Sequence, residues 1–209
     1  RTFDDMKNLV HYDFVEVLNH YRNSSEHWDK ALTAGHLSWV MGNDDTHDLI
    51  KEPTFRIWNI IHSNHNSVDS ILNDMKAGKN YAITSRNGIK DNTLKSLKLN
   101  STMSFSMKLD SLADSISVIG DNGKTLKTVF NSDSVQYDFK ANDSYARIVA
   151  YNKNSDLYFN PITRFDGKNP LLNGNVIPEV NTLYTWLIRF LFFGISFSLI
   201  YIFRKLILK

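Results

Sequence analysis

The stretch FVEVLNHYRNSSEHWDKALTAGHLSWVM, Phe14–Met41, decides the fold class. It opens on a short apolar strand, Phe14–Leu18, and closes on a second one, Leu37–Met41. Between the two strands, Ser25 can cap a helix that ends at Gly35. The apolar side chains of that helix fall on one face: Trp28, Ala31 and Leu32. A strand–helix–strand unit of this length predicts an α/β layer or barrel.

A second unit with the same order follows. Phe55–Ile61 is strand-like, Ser67 can cap a helix that ends at Gly78, and Tyr81–Ile83 is a further strand. This helix also has one apolar face, formed by Val68, Ile71, Leu72 and Met75. We therefore expect residues 1–84 to form an α/β domain.

Residues 85–165 lose the helical period. Apolar and polar side chains alternate instead, as at Met103, Phe105, Met107 and Leu109. The turn sequence Asp121-Asn122-Gly123 is typical of a β-hairpin. Several short alternating strands with turns between them predict a small all-β sandwich over 85–165.

The most apolar stretch is LYTWLIRFLFFGISFSLIYIF, Leu183–Phe203, which Arg189 alone interrupts. As a helix it would be about 30 Å long, the thickness of the hydrocarbon core of a bilayer. Because apolar residues cover every face, we expect a transmembrane helix over 183–203 rather than an apolar core helix or an interfacial helix. Residues 166–182 are rich in Asn, Gly and Pro and predict a linker before it.

The formal net charge of +2 is unevenly distributed. Residues 183–209 carry four cations and no acid, whereas the remaining 182 residues hold 20 cations against 22 acids. Such an acidic body is not expected to bind nucleic acid. The basic tail, 204–209, favours a cytoplasmic C-terminus and an extracytoplasmic, periplasmic body. The absence of cysteine excludes disulfides and thiolate metal sites.

The densest polar cluster, GNDDTHD at Gly42–Asp48, directly follows the second strand. Asp45 and His47 are two residues apart, so that both side chains can face one point, and a carboxylate with an imidazole suits Zn²⁺, Mn²⁺ or Fe²⁺. Loops at the carboxyl ends of α/β strands hold such sites. On spacing alone, a turn that caps the next segment explains these residues better, because two ligands do not make a metal site.

Three stretches together resemble the C-terminal part of the polymerase-and-histidinol-phosphatase (PHP) superfamily, in its CehA/McbA-type metallohydrolase branch. They are YDFVEVLN at Tyr12–Asn19, WDKALTAG at Trp28–Gly35, and Gly42–Asp48. The region around KAGKNY, Lys76–Tyr81, is similar as well, and Leu157–Ile162 resembles the β appendage that follows such domains. The resemblance implies a distorted (β/α)₇ barrel whose strand-end loops hold two or three divalent metal ions.

The resemblance also implies roles for individual residues. The last metal-binding motif of the family is Asp-x-His, which falls on Asp45 and His47 and makes them metal ligands. Asp44 could orient His47 or a bound water. Asn19 and His20 could line the same mouth, although a capping Asn and a surface His explain that pair as well.

The first motif of the family, a His-x-His pair, does not occur in the chain, and its middle Glu and His ligands would also lie before residue 1. Since the chain begins at Arg1, we expect a fragment of a longer protein that is inactive by itself. The implied function is that of a membrane-anchored phosphoesterase, which hydrolyses a phosphorylated or other hydrolysable small molecule with metal-activated water. The alternative is a surface-anchored module that binds a glycan or a protein through a degenerate, non-catalytic PHP-like domain.

Overall fold

The computed structural model describes residues 2–100, 103–164 and 179–207, and these form two compact units, one up to residue 164 and one from residue 179. The first unit contains eleven strands and two α-helices, and the second contains one helix. In chain order they are β1 (Phe14–Asn19), β2 (Arg22–Asn23), α1 (Ser25–Thr33), β3 (Trp39–Asn43), β4 (Ile57–Ile61), α2 (Val68–Lys76), β5 (Asn80–Ser85), β6 (Leu94–Asn100), β7 (Ser104–Gly120), β8 (Lys124–Asp138), β9 (Tyr145–Tyr151), β10 (Ser155–Phe159), β11 (Ile162–Thr163) and α3 (Thr182–Ile207).

The first strand–helix–strand unit is confirmed, although Ser24, and not Ser25, stands at the N-cap of α1 and its side chain makes no capping hydrogen bond. β1 and β3 lie side by side in parallel, with Asn19 opposite Asn43, and α1 forms the crossover between them. β2 adds two antiparallel residues to the other edge of β1, which makes a three-stranded sheet. The predicted apolar face of α1 is fully buried, at Trp28, Ala31 and Leu32.

The remaining eight strands form one antiparallel sheet. Its order is β4-β5-β10-β9-β7-β6, with β8 paired to β7 and β11 paired to β9. β7 is 17 residues long, and it pairs with β6 along its first half and with β9 along its second half. The sheet curls around an apolar interior that includes Phe105, Met107, Ile116, Ile148 and Leu157.

The expected (β/α)₇ barrel, and with it the α/β fold class, is wrong, because the structure is 41% strand and 27% helix and is dominated by the antiparallel sheet. β4, α2 and β5 follow the expected order, and Ser67 caps α2 through a hydrogen bond from the Ser70 backbone N–H. The two strands nevertheless pair in antiparallel, with Ile57 opposite Thr84, and β5 continues into the sheet through β10. The separate β-sandwich is replaced by this single sheet, which also takes in strands from before residue 85.

The two sheets share one core. Side chains of the three-stranded sheet and α1, such as Val17, Leu32 and Val40, cluster with Ala82 and Val149 of the larger sheet. A buried ion pair between Asp29 of α1 and Arg147 of β9 joins the same elements. The parallel unit is therefore one layer of a larger β-rich body rather than part of a closed barrel.

In the second unit, α3 agrees with the expected apolar helix. It has 26 residues, and its most apolar 18-residue window has a mean hydropathy of 1.9, so it is long and apolar enough to cross a membrane. At about 1.5 Å per residue it measures about 39 Å. Arg204 and Lys205 lie in its last turn. Most of the expected linker, 166–182, and the end of the basic tail, 208–209, lie outside the described residues.

A candidate metal site at the ends of two parallel strands

The candidate site lies where β1 and β3 end. Because the strands are parallel, their carboxyl ends meet at one edge of the sheet, with Leu18 opposite Gly42 and Asn19 opposite Asn43. Gly42 is required there, since a Cβ atom on it would come within 2.7 Å of Ile57 Cγ2. The polar loop that follows β3 therefore leaves the sheet directly beside the end of β1.

Asp45 and His47 come together in this loop. His47 Nε2 lies 3.4 Å from Asp45 Oδ1, and the two side chains are 75% and 41% exposed, respectively. Asp45 has a φ of 50°, in the left-handed region that aspartate tolerates better than most residues. The pair thus presents an imidazole nitrogen and a carboxylate oxygen at one exposed point.

Asn19 connects this pair to the sheet. Its side-chain amide donates to Asp45 Oδ2 and to Glu16 Oε1, at 3.1 Å each. Asn43, at the end of β3, also donates to Glu16 Oε1. The bond from Asn19 holds one carboxylate oxygen of Asp45 and leaves Oδ1 facing His47. Asn19 therefore lies in contact with the candidate pair, and its site role stays a prediction.

Glu16 was not among the expected site residues. It lies on β1 and is about one-third exposed, and Arg22 Nη2 lies 3.9 Å from its second oxygen. The signal in the sequence is the single charge inside the otherwise apolar strand FVEVL. A charge at such a position requires polar partners, which Asn19 and Asn43 supply.

Glu52, near the end of the loop that follows β3, stabilises the conformation of that loop. Its carboxylate accepts hydrogen bonds from the backbone N–H of His47 at 2.6 Å and from the Tyr21 hydroxyl at 3.0 Å. These two bonds lower the pKa of Glu52, and the bond to Glu52 raises the pKa of Tyr21. The backbone of His47 is thereby tied to the loop after β1.

Asp44 and His20 have other contacts. The Asp44 carboxylate accepts three backbone N–H groups at the start of β4, from Phe55, Arg56 and Ile57, at 2.6–2.9 Å. Asp44 thus caps the following segment, which is the alternative that the sequence left open for this loop. The His20 ring lies edge-on to the Tyr21 ring, with 4.9 Å between their centroids, and is exposed.

The carboxylate of Asp45 and the imidazole of His47 are ligand types that fit a divalent transition metal. Two ligands alone, however, do not complete a metal site. Within residues 2–100, 103–164 and 179–207, no group of three or more His, Cys, Asp or Glu side chains is arranged to hold a metal ion. Asp45 and His47 would supply two ligands, so a bound ion would need further donors.

Comparison of the chain with protein-family models, with curated proteins and with solved structures finds no match in any of the three.

Proposed function

We propose that this chain carries the Asp45–His47 part of the metal centre of a membrane-anchored, metal-dependent hydrolase, a phosphoesterase. The observation that carries the proposal is the convergence of the two side chains, 3.4 Å apart, at the shared carboxyl ends of two parallel strands. This is the position at which α/β units place their reactive groups. The resemblance of Tyr12–Asn19, Trp28–Gly35 and Gly42–Asp48 to PHP metallohydrolases supports it.

The chemistry of the centre follows from these residues. Asp45 Oδ1 and His47 Nε2 would hold a Zn²⁺, Mn²⁺ or Fe²⁺ ion, and such an ion supplies a bound water whose pKa is low enough for it to act as a nucleophile near neutral pH. Asn19 orients Asp45 through the bond to Oδ2, and Glu52 fixes the backbone of His47. Because these contacts already restrict the two ligands, the ligands lose less conformational entropy when they bind metal.

We assign the substrate to a cleft that lies beside β1. It has a volume of about 630 Å³ and is lined by Glu16 and Arg22 together with apolar side chains that include Leu9, Tyr12 and Phe14. This volume falls in the range of small-molecule sites. Arg22 is mostly exposed and supplies a positive charge that suits a phosphorylated substrate.

The location follows from α3. We infer that α3 crosses a membrane once, and that Arg204 and Lys205 in its last turn keep the C-terminus in the cytoplasm. The hydrolase would then act on the extracytoplasmic, periplasmic side.

Metal binding by the full-length protein in lipid nanodiscs tests the proposal, because an ion held by Asp45 and His47 needs further donors. Equilibrium dialysis against Zn²⁺ and Mn²⁺, with the bound metal measured by mass spectrometry, should show binding that the pair Asp45→Asn and His47→Gln removes. The matched control is His65→Gln with Asp69→Asn, an exposed pair at the start of α2. Equal metal content in the two double variants would overturn the assignment.

A further inference from the structure

A second cleft lies between the start of α1 and strands β9 and β10. Its volume is about 410 Å³, and its walls include Asn23 and Glu26 on one side and Arg147, Tyr151 and Tyr158 on the other. This volume is typical of a small-molecule site. The cleft is built from other residues than the candidate metal site, so what it binds is a separate question.

Two residues that line the cleft, Arg147 and Tyr158, carry buried hydrogen-bond donors. Arg147 is 3% exposed, and its Nε and Nη2 both donate to Asp29, whereas Nη1 has no partner among the described residues. Tyr158 is 7% exposed, and its hydroxyl oxygen accepts a bond from Asn23 Nδ2 at 3.0 Å, which leaves its own proton to donate. Burial raises the pKa of Tyr158, so the proton is retained at neutral pH.

The charges around the cleft disfavour an anion. Asp29 already neutralises Arg147 through two bonds of 2.7 Å each. Glu26, in the first turn of α1, adds an exposed negative charge at the rim. A carboxylate or phosphate group would therefore meet net negative charge, whereas a neutral hydroxyl oxygen can accept from both donors without that cost.

The remaining walls suit a saturated ring that presents C–H groups on one face. Tyr151 presents a partly exposed aromatic ring, and Phe3 also lines the cleft with nearly half of its surface exposed. The Glu26 carboxylate can accept bonds from hydroxyl groups at the rim. Aromatic faces with a few fixed donors and acceptors form a surface that is both apolar and polar, and a sugar has the same two properties.

We propose that this cleft binds a neutral sugar. The ring lies on Tyr151, its oxygens accept hydrogen bonds from Arg147 Nη1 and the Tyr158 hydroxyl, and its outer hydroxyl groups donate to Glu26. The proposal does not rest on the metal site or on hydrolysis. It gives the protein a means of holding a glycan or a sugar-containing molecule.

The test is a titration of the full chain in phosphatidylcholine nanodiscs, since detergents with sugar headgroups would compete. Glucose, galactose and N-acetylglucosamine are the neutral probes, glucuronate is the anionic counterpart of glucose, and saturation-transfer NMR reports binding. At least one neutral sugar should bind saturably, and glucuronate should bind more weakly than glucose. The proposal would be overturned if none of the neutral sugars bound saturably, or if glucuronate bound more tightly than glucose.

Variants locate the binding without disturbing the buried ion pair. Tyr151→Ala should weaken the binding of the sugar about fivefold through the loss of the aromatic face. The matched control Phe130→Ala, which removes an exposed aromatic ring on β8, should leave it unchanged. Glu26→Gln removes a negative charge at the cleft, so the ratio of the affinity for glucose to the affinity for glucuronate should fall. Equal effects of Tyr151→Ala and Phe130→Ala would show that the sugar binds elsewhere and would overturn the assignment.

Discussion

Asp29 and Arg147 form a buried two-point ion pair between α1 and β9, although they are 118 residues apart in the chain. Arg147 Nε and Nη2 each donate to one carboxylate oxygen at 2.7 Å, and the Tyr145 hydroxyl donates to the same carboxylate at 2.9 Å. The guanidinium also lies 5.2 Å from the centroid of the Trp28 ring. The pair therefore ties the parallel unit that carries the candidate metal site to the antiparallel sheet.

Removal of either partner should destabilise the protein strongly. Asp29→Ala leaves a buried cation without its counter-charge, and we expect it to lower the free energy of unfolding by about 3–5 kcal/mol. Chemical unfolding of the full chain in nanodiscs, followed by tryptophan fluorescence, measures this change. The double variant Asp29→Leu with Arg147→Met should be more stable than Asp29→Leu alone or Arg147→Met alone. A double variant as unstable as the sum of the two single variants would contradict the account.

Asp44→Ala should destabilise the protein through the segment before β4. The substitution leaves three backbone N–H groups without their acceptor, and we expect a cost of about 2–4 kcal/mol in the same unfolding experiment. Asp48→Ala is the control, because the Asp48 carboxylate accepts backbone bonds from Ile50 and Lys51 within an exposed part of the loop. If the two variants lose equal stability, Asp44 does not have the capping role assigned to it.

Asp91 should make the stability of the sheet depend on pH. Burial acts to raise the pKa of Asp91, but hydrogen bonds from Asn154 and Ser155 outweigh it and lower that pKa. A lowered pKa in the folded state means that the stabilisation is complete above the unfolded pKa, about 3.9, and is lost as the pH falls through the folded value. Asp91→Asn should cost about 1–2 kcal/mol at pH 7.

The difference between wild type and Asp91→Asn should shrink as the pH falls below about 4. Thermal unfolding at pH 7, 5 and 3 measures it. A difference that stays constant over this range would show that the charge of Asp91 does not stabilise the turn between β9 and β10.

Deletion of residues 182–209 should release the body from the membrane. The deletion removes α3, the helix in the described chain that is long and apolar enough to span a bilayer. After carbonate extraction of membranes, the full chain should stay in the pellet and the shortened chain should move to the supernatant. Retention of the shortened chain, in the absence of any other anchor, would contradict a membrane span.

The local sequence pattern predicted the helices and strands better than it predicted how the strands pair. The apolar face of α1 and the cap of α2 at Ser67 follow from short-range rules, and the structure has both. The predicted inward apolar face of α2 is not buried, and its Val68 and Leu72 are exposed. The direction of β5 does not follow from such rules, because it depends on pairing with β10, more than 70 residues further along the chain. An apolar strand after a helix has the same sequence pattern whether its neighbour is parallel or antiparallel, which is why the α/β domain expected over 1–84 was wrong. The (β/α)₇ barrel was implied by the resemblance to the PHP superfamily and is wrong as well.

The candidate site shows the same limit. Spacing could bring Asp45 and His47 together because they are two residues apart. Glu16 and Asn43 lie close to this pair because of the register between β1 and β3, and that register cannot be predicted from the sequence pattern. Arg147 and Tyr158 were missed for the same reason, since the cleft between them and α1 exists only once the two sheets have packed together.

The measurement that tests the central claim most directly is the metal content of the full-length protein, of its Asn19→Ala variant and of its Asp45→Asn, His47→Gln double variant. We expect wild type to bind Zn²⁺ or Mn²⁺, the double variant to bind none, and Asn19→Ala to bind about tenfold more weakly, because Asp45 would lose the bond that orients it. The same metal affinity in all three proteins would contradict a metal centre at the ends of β1 and β3.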